Sequence, residues 1–367
     1  MPSPRRDARE GRLKYLPAMA GIWAAAGQVW PAFVLVTGLL LVGVVAEQDG
    51  LFAAAGALLA RAPGGTRVAF VWSLALVAVV TAILNLDTSV VFLTPVLLHL
   101  ARVRGVDERP FLYGTVFMSN AASLFLPGSN LTNLITLHGE HASGAAFLSR
   151  MWAAAIVAVL VTVAVLLAAF RRELGLAAAQ VDERAPGRLG VGVVAVVVST
   201  VLVLTLSAPA LPVLAVGVAA VFVDRVGLAR INEIVDARVL GGLFVVAVTL
   251  GAVGRWWNGP AALLGHLGRV GTALGGAVAA VCLNNLPAAV LLTPHAPAHP
   301  RALLIGLNLG PNLAVTGSLS AYLWLRVARS LDARPSMRVY SSVGVVLVPL
   351  SLGAALGALW LVAPGRL

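Results

Sequence analysis

Asn284-Asn285-Leu286-Pro287, followed after five residues by Thr293-Pro294, interrupts an apolar stretch and divides it into pieces at 270–283 and 287–297. Neither piece reaches the about 20 apolar residues that a spanning helix needs. Pieces of this length fit a hairpin that enters the membrane and returns. Proline suits the first position of a helix, so a helix is expected to start at Pro287, after Asn285 or Leu286. The pattern occurs once more upstream, as Asn85-Leu86-Asp87-Thr88 and, after five residues, Thr94-Pro95. The asparagine-to-threonine spacing is the same. By this alignment a helix starts after Asp87, whose carboxylate can cap it.

Other matches lie on either side. Ser123-Leu124-Phe125-Leu126-Pro127-Gly128-Ser129 pairs with Asn312-Leu313-Ala314-Val315-Thr316-Gly317-Ser318, and Gly50 and Gly56 pair with Gly259 and Gly265. Three matches in the same order mark an internal repeat. In membrane proteins such repeats point to transporters, with sites at the repeat interface on discontinuous helices. The segments 110–137 and 302–327 are long enough to span, yet Pro127-Gly128, Gly310-Pro311 and Thr316-Gly317 interrupt them. Backbone groups freed by such breaks are tolerated at membrane depth only where they face protein or a wet cavity.

Composition sets the solvent. Of 367 residues 59% are hydrophobic and 11% charged, against about 25% charged in a soluble domain. Lipid therefore surrounds most of the chain, and the long Ala-, Leu- and Val-rich runs without ten-residue alternation favour helices over a barrel. The net charge of +11 is read as arginine concentrated in short loops, as the positive-inside rule describes, and not as a nucleic-acid surface. The single cysteine, Cys282, excludes an internal disulfide framework. No cleavage site follows the basic tail at 1–14, so a signal peptide is not expected.

Spanning segments are expected near 29–47, 66–84, 110–137, 148–170, 190–208, 209–224, 239–256, 302–327 and 339–362. The polar stretch 171–188 is the linker. The resulting organisation is a basic tail with an interfacial helix at 1–28, a first repeat at 29–172, a cytoplasmic linker at 173–188 and a second repeat at 189–367. If 66–101 and 270–297 are re-entrant, an odd number of spans separates the repeats and they are inverted. Arg102, Arg104, Arg109, Arg225, Arg230, Arg238, Arg326, Arg329, Arg334 and Arg338 then fall inside. Arg150, Arg255, Arg269 and Arg301 fall outside, together with the basic tail, unless 13–46 holds more than one membrane segment. The arm 66–84 is also long enough to cross fully.

The Asn-x-Asp…Thr-Pro pattern, the run from Ser119-Asn120 through Ser129-Asn130-Leu131-Thr132-Asn133-Leu134, Asn284-Asn285-Leu286-Pro287-Ala288, and Gly310-Pro311-Asn312-Leu313-Ala314-Val315-Thr316-Gly317-Ser318-Leu319 together resemble the arsenite permease family. That family lies in the ion transporter superfamily, beside the citrate and divalent-anion transporters. The resemblance covers roughly 30–362. It implies an all-α polytopic membrane protein of two inverted repeats, each with a re-entrant hairpin and a broken transmembrane helix. It also implies gradient-driven export of As(III) or Sb(III) oxyacids, or movement of another anion, across a bacterial plasma membrane. Two departures stand out. The segments 190–208 and 209–224 have no counterpart before residue 29, so the first repeat is shortened by a helix pair. Leu86 separates Asn85 from Asp87, where family members commonly have Asn and Asp adjacent, which makes Asp87 the safer carry-over.

Asp87 is the foremost site residue. A carboxylate in a membrane segment costs about 2.5–3.5 kcal/mol on insertion scales and usually serves an ion pathway or pairs with a partner. Its functional reading is binding a cation or accepting a proton, and its bland reading is a helix cap at the membrane surface. Leu286 matches it in the second repeat, so an acid-dependent site is single. Asn85, Asn284 and Asn285 offer carbonyl and amide groups, or serve as glue between helices, and Thr88 joins them as a site residue. Ser123, Ser129, Asn130 and Asn133, with Asn312, Thr316 and Ser318, form the opposing polar set, aided by helix N-termini. Each hydroxyl among them could instead bond back to its own helix.

His138, Glu140 and His141 resemble metal ligands but end an apolar segment and read as a solvated loop. Cys282 reads as a buried packing residue, because one thiol cannot chelate As(III) as two or three can. The sequon Asn130-Leu131-Thr132 is incidental at membrane depth. No metalloprotease, nucleophile-elbow or phosphate-loop motif is present, so no enzyme and no resident cofactor are expected. The coupling ion is H+ or Na+. An ATP-driven form would need a separate ATPase subunit, and the resemblance leaves room for a homodimer. The alternative to metalloid export is a sodium- or proton-coupled transporter of a small carboxylate or other inorganic anion.

Overall fold

The computed structural model describes residues 4–61, 63–140, 142–175 and 190–362, with side chains from Met19 onward. Every regular element among them is helical. The first half runs α1 (Pro4–Gln48), α2 (Leu51–Arg61), α3 (Thr66–Ile83), α4 (Leu86–Val103), α5 (Arg109–Ala122), a 3-10 turn (Pro127–Ser129), α6 (Leu131–Thr136) and α7 (Gly144–Ala169). The second runs α8 (Val191–Thr205), α9 (Ala210–Val223), α10 (Leu228–Ile234), α11 (Ala237–Trp256), α12 (Gly259–Gly265), α13 (Arg269–Leu283) and α14 (Asn285–Leu292). It continues through α15 (Pro300–Leu309), 3-10 turns at Gly310–Leu313 and Val315–Gly317, α16 (Leu319–Ser330) and α17 (Met337–Val362).

Six stretches among the described residues are long and apolar enough to cross a membrane: Met19–Gln48, Thr66–Ile83, Leu86–Val103, Gly144–Ala169, Leu228–Trp256 and Met337–Val362. The remaining apolar helices are shorter because asparagine, glycine and proline cut them. α1 is unbroken from Pro4 to Gln48, so the basic tail continues directly into the first span with no second segment between. Most of the expected linker lies outside the described residues.

The order α1, α2, hairpin α3/α4, broken helix α5/α6, α7 recurs as α11, α12, hairpin α13/α14, broken helix α15/α16, α17. The pair α8 and α9 packs on α1 and has no counterpart in the first half. Two matched pairs, α1 with α11 and α7 with α17, run antiparallel. Arg255 near the end of α11 reaches Ala24 near the start of the apolar part of α1, while Glu47 at the end of α1 pairs with Arg230, ahead of α11, at 2.8 Å. The C-terminal turns of α7 likewise face the N-terminal half of α17 across a groove lined by Ala164, Phe170, Val339 and Leu350.

Long-range bonds gather the basic loops. Arg102 donates to the Leu331 carbonyl at 2.8 Å, Arg104 donates to the Ala60 carbonyl at 3.1 Å, and Arg109 bridges Asp107 at 2.7 Å and Glu173 at 3.2 Å. Just inside that end Trp324 Nε1 donates to the Leu112 carbonyl at 2.8 Å. Tyr113, Phe117, Phe170, Trp324 and Tyr340 pack ring against ring there, fixing α5, α7, α16 and α17 around the breaks.

Candidate functional site

Both hairpins turn on an asparagine. Asn85 is the N-cap of α4, its Oδ1 accepting from Thr88 N at 2.7 Å, and Thr81 Oγ1 donates to Ser89 Oγ at 2.7 Å across the two arms. The turn at Asn85 is fully buried, so α3 ends inside the protein. Asn284 is the N-cap of α14 and holds φ at 80°, a left-handed conformation that asparagine tolerates better than most residues. Its Nδ2 donates to the Thr316 carbonyl at 3.2 Å. The breaks steady the tips: Ser129 Oγ donates to the Ala82 carbonyl at 3.0 Å, and Thr316 Oγ1 lies 3.5 Å from the Val281 carbonyl. Ala82 and Val281 each stand three residues before their tip asparagine.

The breaks begin new helices in the same way. Asn130 caps α6 through Thr132 N at 3.0 Å, and Ser318 caps α16 through Ala321 N at 3.2 Å. The four starts converge on one cavity of about 200 Å³, lined by Leu86, Asp87, Asn130, Leu131, Leu243, Asn284, Asn285, Leu286, Pro287, Ser318, Leu319 and Ser320. The lining holds one carboxylate and no lysine, arginine or histidine. Each start presents unpaired backbone N–H groups and the positive end of a helix dipole.

Capping of α4 falls to Asn85 and not to Asp87, which corrects the expected register: α4 begins at Leu86 and Asp87 sits in its first turn. The physical reason is reach, since Asn85 Oδ1 already satisfies the Thr88 N–H that a later cap would lose. Asp87 is 8% exposed and makes no hydrogen bond or ion pair among the described residues. Asn85 Nδ2 and Thr88 Oγ1 are likewise buried without a partner among the described residues. Similarly, α14 starts at Asn285, ahead of the expected Pro287. Proline still fits there because the first-turn N–H groups have no helical partner.

The opposing polar set separates into two. Asn130 and Ser318 line the cavity; Ser123, Asn133 and Asn312 lie behind it. Asn308 of α15 is the hub of that second group. Its Oδ1 accepts from Ser123 Oγ at 2.5 Å and from Asn130 Nδ2 at 2.7 Å, and its Nδ2 donates to Asn133 Oδ1 at 2.8 Å. Asn133 Nδ2 in turn donates to the Ser123 carbonyl at 2.7 Å and the Leu126 carbonyl at 3.1 Å, satisfying carbonyls that the break sets free. Asn120 Nδ2 donates to Asn312 Oδ1 at 2.9 Å, so a second asparagine pair joins the two broken helices. Thr316 is exposed and serves the tip of the second hairpin.

Asn308, Asn120 and Ser320 were not among the expected site residues. Asn308 and Asn120 are single amides in otherwise apolar helical runs, a signal that insertion cost makes informative. Cys282 is exposed, which corrects its expected burial: it lies on α13 two residues before the tip asparagine. Glu140 bridges Arg150 at 3.2 Å and Arg301 at 2.9 Å. His141 lies outside the described residues, and no group of three His, Cys, Asp or Glu side chains that could hold a metal is gathered among them.

The profile of the citrate transporter family (CitMHS) matches residues 12–316. The "Arsenical pump membrane protein" of Yersinia enterocolitica is 25% identical over 375 residues, covering 90% of this chain and 86% of the relative. Its namesake from Escherichia coli K12 is 24% identical with the same coverage. The rice silicon efflux transporter LSI3 is 28% identical over 158 residues, 43% of this chain and 33% of that protein. In fold, the crystal structure of the Alcanivorax borkumensis YdaH transporter is similar with a TM-score of 0.58 at 16% identity, covering 95% of this chain and 88% of that one.

Proposed function

The chain belongs to the citrate transporter family, a multi-pass membrane secondary transporter, and on that premise we propose that it exports arsenite or antimonite against an ion gradient. The observation that carries this reading is the charge balance of the cavity. Each helix N-terminus is worth roughly half an elementary positive charge. The starts of α4, α14 and α16 together supply about +1.5, which the one carboxylate of Asp87 reduces to about +0.5. A cavity of small residual charge lined by amides, hydroxyls and backbone N–H groups suits a neutral oxyacid such as As(OH)3, which donates and accepts hydrogen bonds without a net charge. A tricarboxylate would find no arginine there and one repelling carboxylate. The names of the relatives, two arsenical pumps and a silicon efflux transporter, support an oxyacid substrate.

Asp87 is the group that couples the gradient, by taking a proton or a sodium ion in step with the substrate. The antiparallel course of α1 with α11 and of α7 with α17 supports reading the two halves as inverted repeats that rock about the cavity. The test is As(III) accumulation in arsenite-sensitive bacterial cells with and without the protein, at two external pH values. Accumulation should fall, and the fall should follow the proton gradient. Unchanged accumulation, with the protein verified in the membrane, would replace metalloid export by transport of a small carboxylate or other anion, to be sought with and without sodium.

A further inference from the structure

Away from the cavity, toward the end opposite the basic loops, a single buried amide joins four elements. Gln28 of α1 is 5% exposed. Its Nε2 lies 2.9 Å from the Thr293 carbonyl and 3.1 Å from Thr293 Oγ1, at the end of α14. The same nitrogen lies 3.2 Å from the Ile135 carbonyl of α6 and 3.2 Å from His138 Nδ1. Its Oε1 accepts from Arg255 Nη2 of α11 at 2.9 Å, and Arg255 Nη1 donates to the Gly251 carbonyl at 3.0 Å. The guanidinium has no carboxylate partner among the described residues, so its nearest acceptors are this amide and carbonyls of α1 and α11. The antiparallel pair α1/α11 thus holds the outer ends of α6, the second half of a broken helix, and α14, the return arm of a hairpin, both of which carry cavity residues at their other ends.

We propose that Gln28 is a positioning residue, the pin of an outer gate that keeps α6 and α14 docked on α1 and α11 while the cavity is closed toward that face. The inference rests on the transporter reading, since only a protein that exposes its cavity alternately needs such a contact to break. No symmetric counterpart lies among the described residues: the tip-to-threonine alignment places Thr94 opposite Thr293, and among them Thr94 Oγ1 bonds the Val90 carbonyl alone, at 2.6 Å. The pin is therefore one-sided and biases the protein toward the state closed at its own face. Three oxygens, the Thr293 and Ile135 carbonyls and Thr293 Oγ1, compete for the two hydrogens of Nε2, so the contact can be shared and released in steps.

The experiment uses the full-length chain with Cys282→Ala and a reporter at the cavity wall, Leu243→Cys, in sealed right-side-out vesicles. A membrane-impermeant maleimide added outside should label the reporter slowly, and labelling should rise about tenfold in Gln28→Ala, the change expected for losing the net worth of one or two buried hydrogen bonds. From the cytoplasmic side, in inverted vesicles, the same variant should label more slowly, because the population moves from one state to the other. Arg255→Ala, which removes the partner of Oε1 and leaves the contacts of Nε2 in place, should shift both rates in the same directions by less. Equal outer labelling with and without Gln28 would overturn the proposal, and so would a rise on both faces, which marks loosened packing. The readout needs no substrate, so it stands or fails separately from the metalloid assay.

Discussion

Asn130 and Asn308, 178 residues apart in sequence, share a 2.7 Å hydrogen bond that ties the cap of α6 in one half to α15 in the other. The bond joins a cavity residue to the buried amide hub, so the position of the cavity wall depends on packing between the halves.

Replacing Asn308 by leucine should be strongly destabilising. Ser123 Oγ, Asn130 Nδ2 and Asn133 Oδ1 would each lose a buried partner, and an orphaned buried polar group costs about 1–3 kcal/mol. Thermal unfolding in detergent should show a markedly lower midpoint. An unchanged midpoint would mean that water replaces the hub without loss.

Asp87→Asn should leave folding intact and abolish gradient-driven flux. Asn85 supplies the cap of α4, and no ion pair is lost with the carboxylate. Purified variant and parent should unfold at similar temperatures while As(III) export falls to background. Retained export at the parental rate would remove Asp87 from coupling.

Asn85→Ala acts in the opposite way, on structure first. Loss of an N-cap costs about 0.5–2 kcal/mol, and Asn85→Ser, which keeps an acceptor, should recover most of it. Comparing the unfolding midpoints of the two variants checks the assignment, because a merely bulky role would not separate alanine from serine.

Gly344→Ala should disturb the second break directly. A Cβ at Gly344 would stand 2.1 Å from the Asn312 carbonyl oxygen and 2.8 Å from Leu313 Cα. Both are backbone, so α17 must move away. Small residues at such crossings let membrane helices approach closely. We expect reduced yield of folded protein, and a well-folded alanine variant would show that α17 can shift freely.

His138 gives the outer node a pH dependence. It lies past the end of α6, and burial pushes its imidazole below the usual 6.5, as do Arg255 and His295 nearby, against a raising bond to Ile135. A depressed histidine pKa means that the unfolded chain binds the proton more readily. The neutral ring's contribution is therefore present above about 6.5 and is lost as pH falls from there through the folded value. Outer labelling of the cavity reporter should rise in acid, and His138→Asn should flatten that profile.

Much of the architecture was legible because lipid enforces it. Long apolar runs must be helices, and a polar interruption such as Asn284-Asn285-Leu286-Pro287 must be a turn facing protein or water. The repeated spacing from Asn85 to Thr94 and from Asn284 to Thr293 placed both tips correctly, and the helix pair 190–224 stood out as unmatched. Asp87 does not cap α4, since Asn85, two residues earlier, starts the helix and accepts from Thr88 N, and only geometry shows which of two candidate caps begins it. Asn308 and Gln28 were passed over because neither belongs to a local motif. Their partners are brought to them by helices distant in sequence, from the other half for Asn308 and from both halves for Gln28.

What the sequence determined by itself was the class, the repeat and the identity of the polar tips, all properties of spacing and hydropathy along one chain. Tertiary structure alone decided which of those tips meet. Asp87, Asn130, Asn284 and Ser318 share a cavity while Ser123, Asn133 and Asn312 serve a network behind it. The division arises because each side chain points where its helix start and the opposing half allow, and no one-dimensional pattern records that direction.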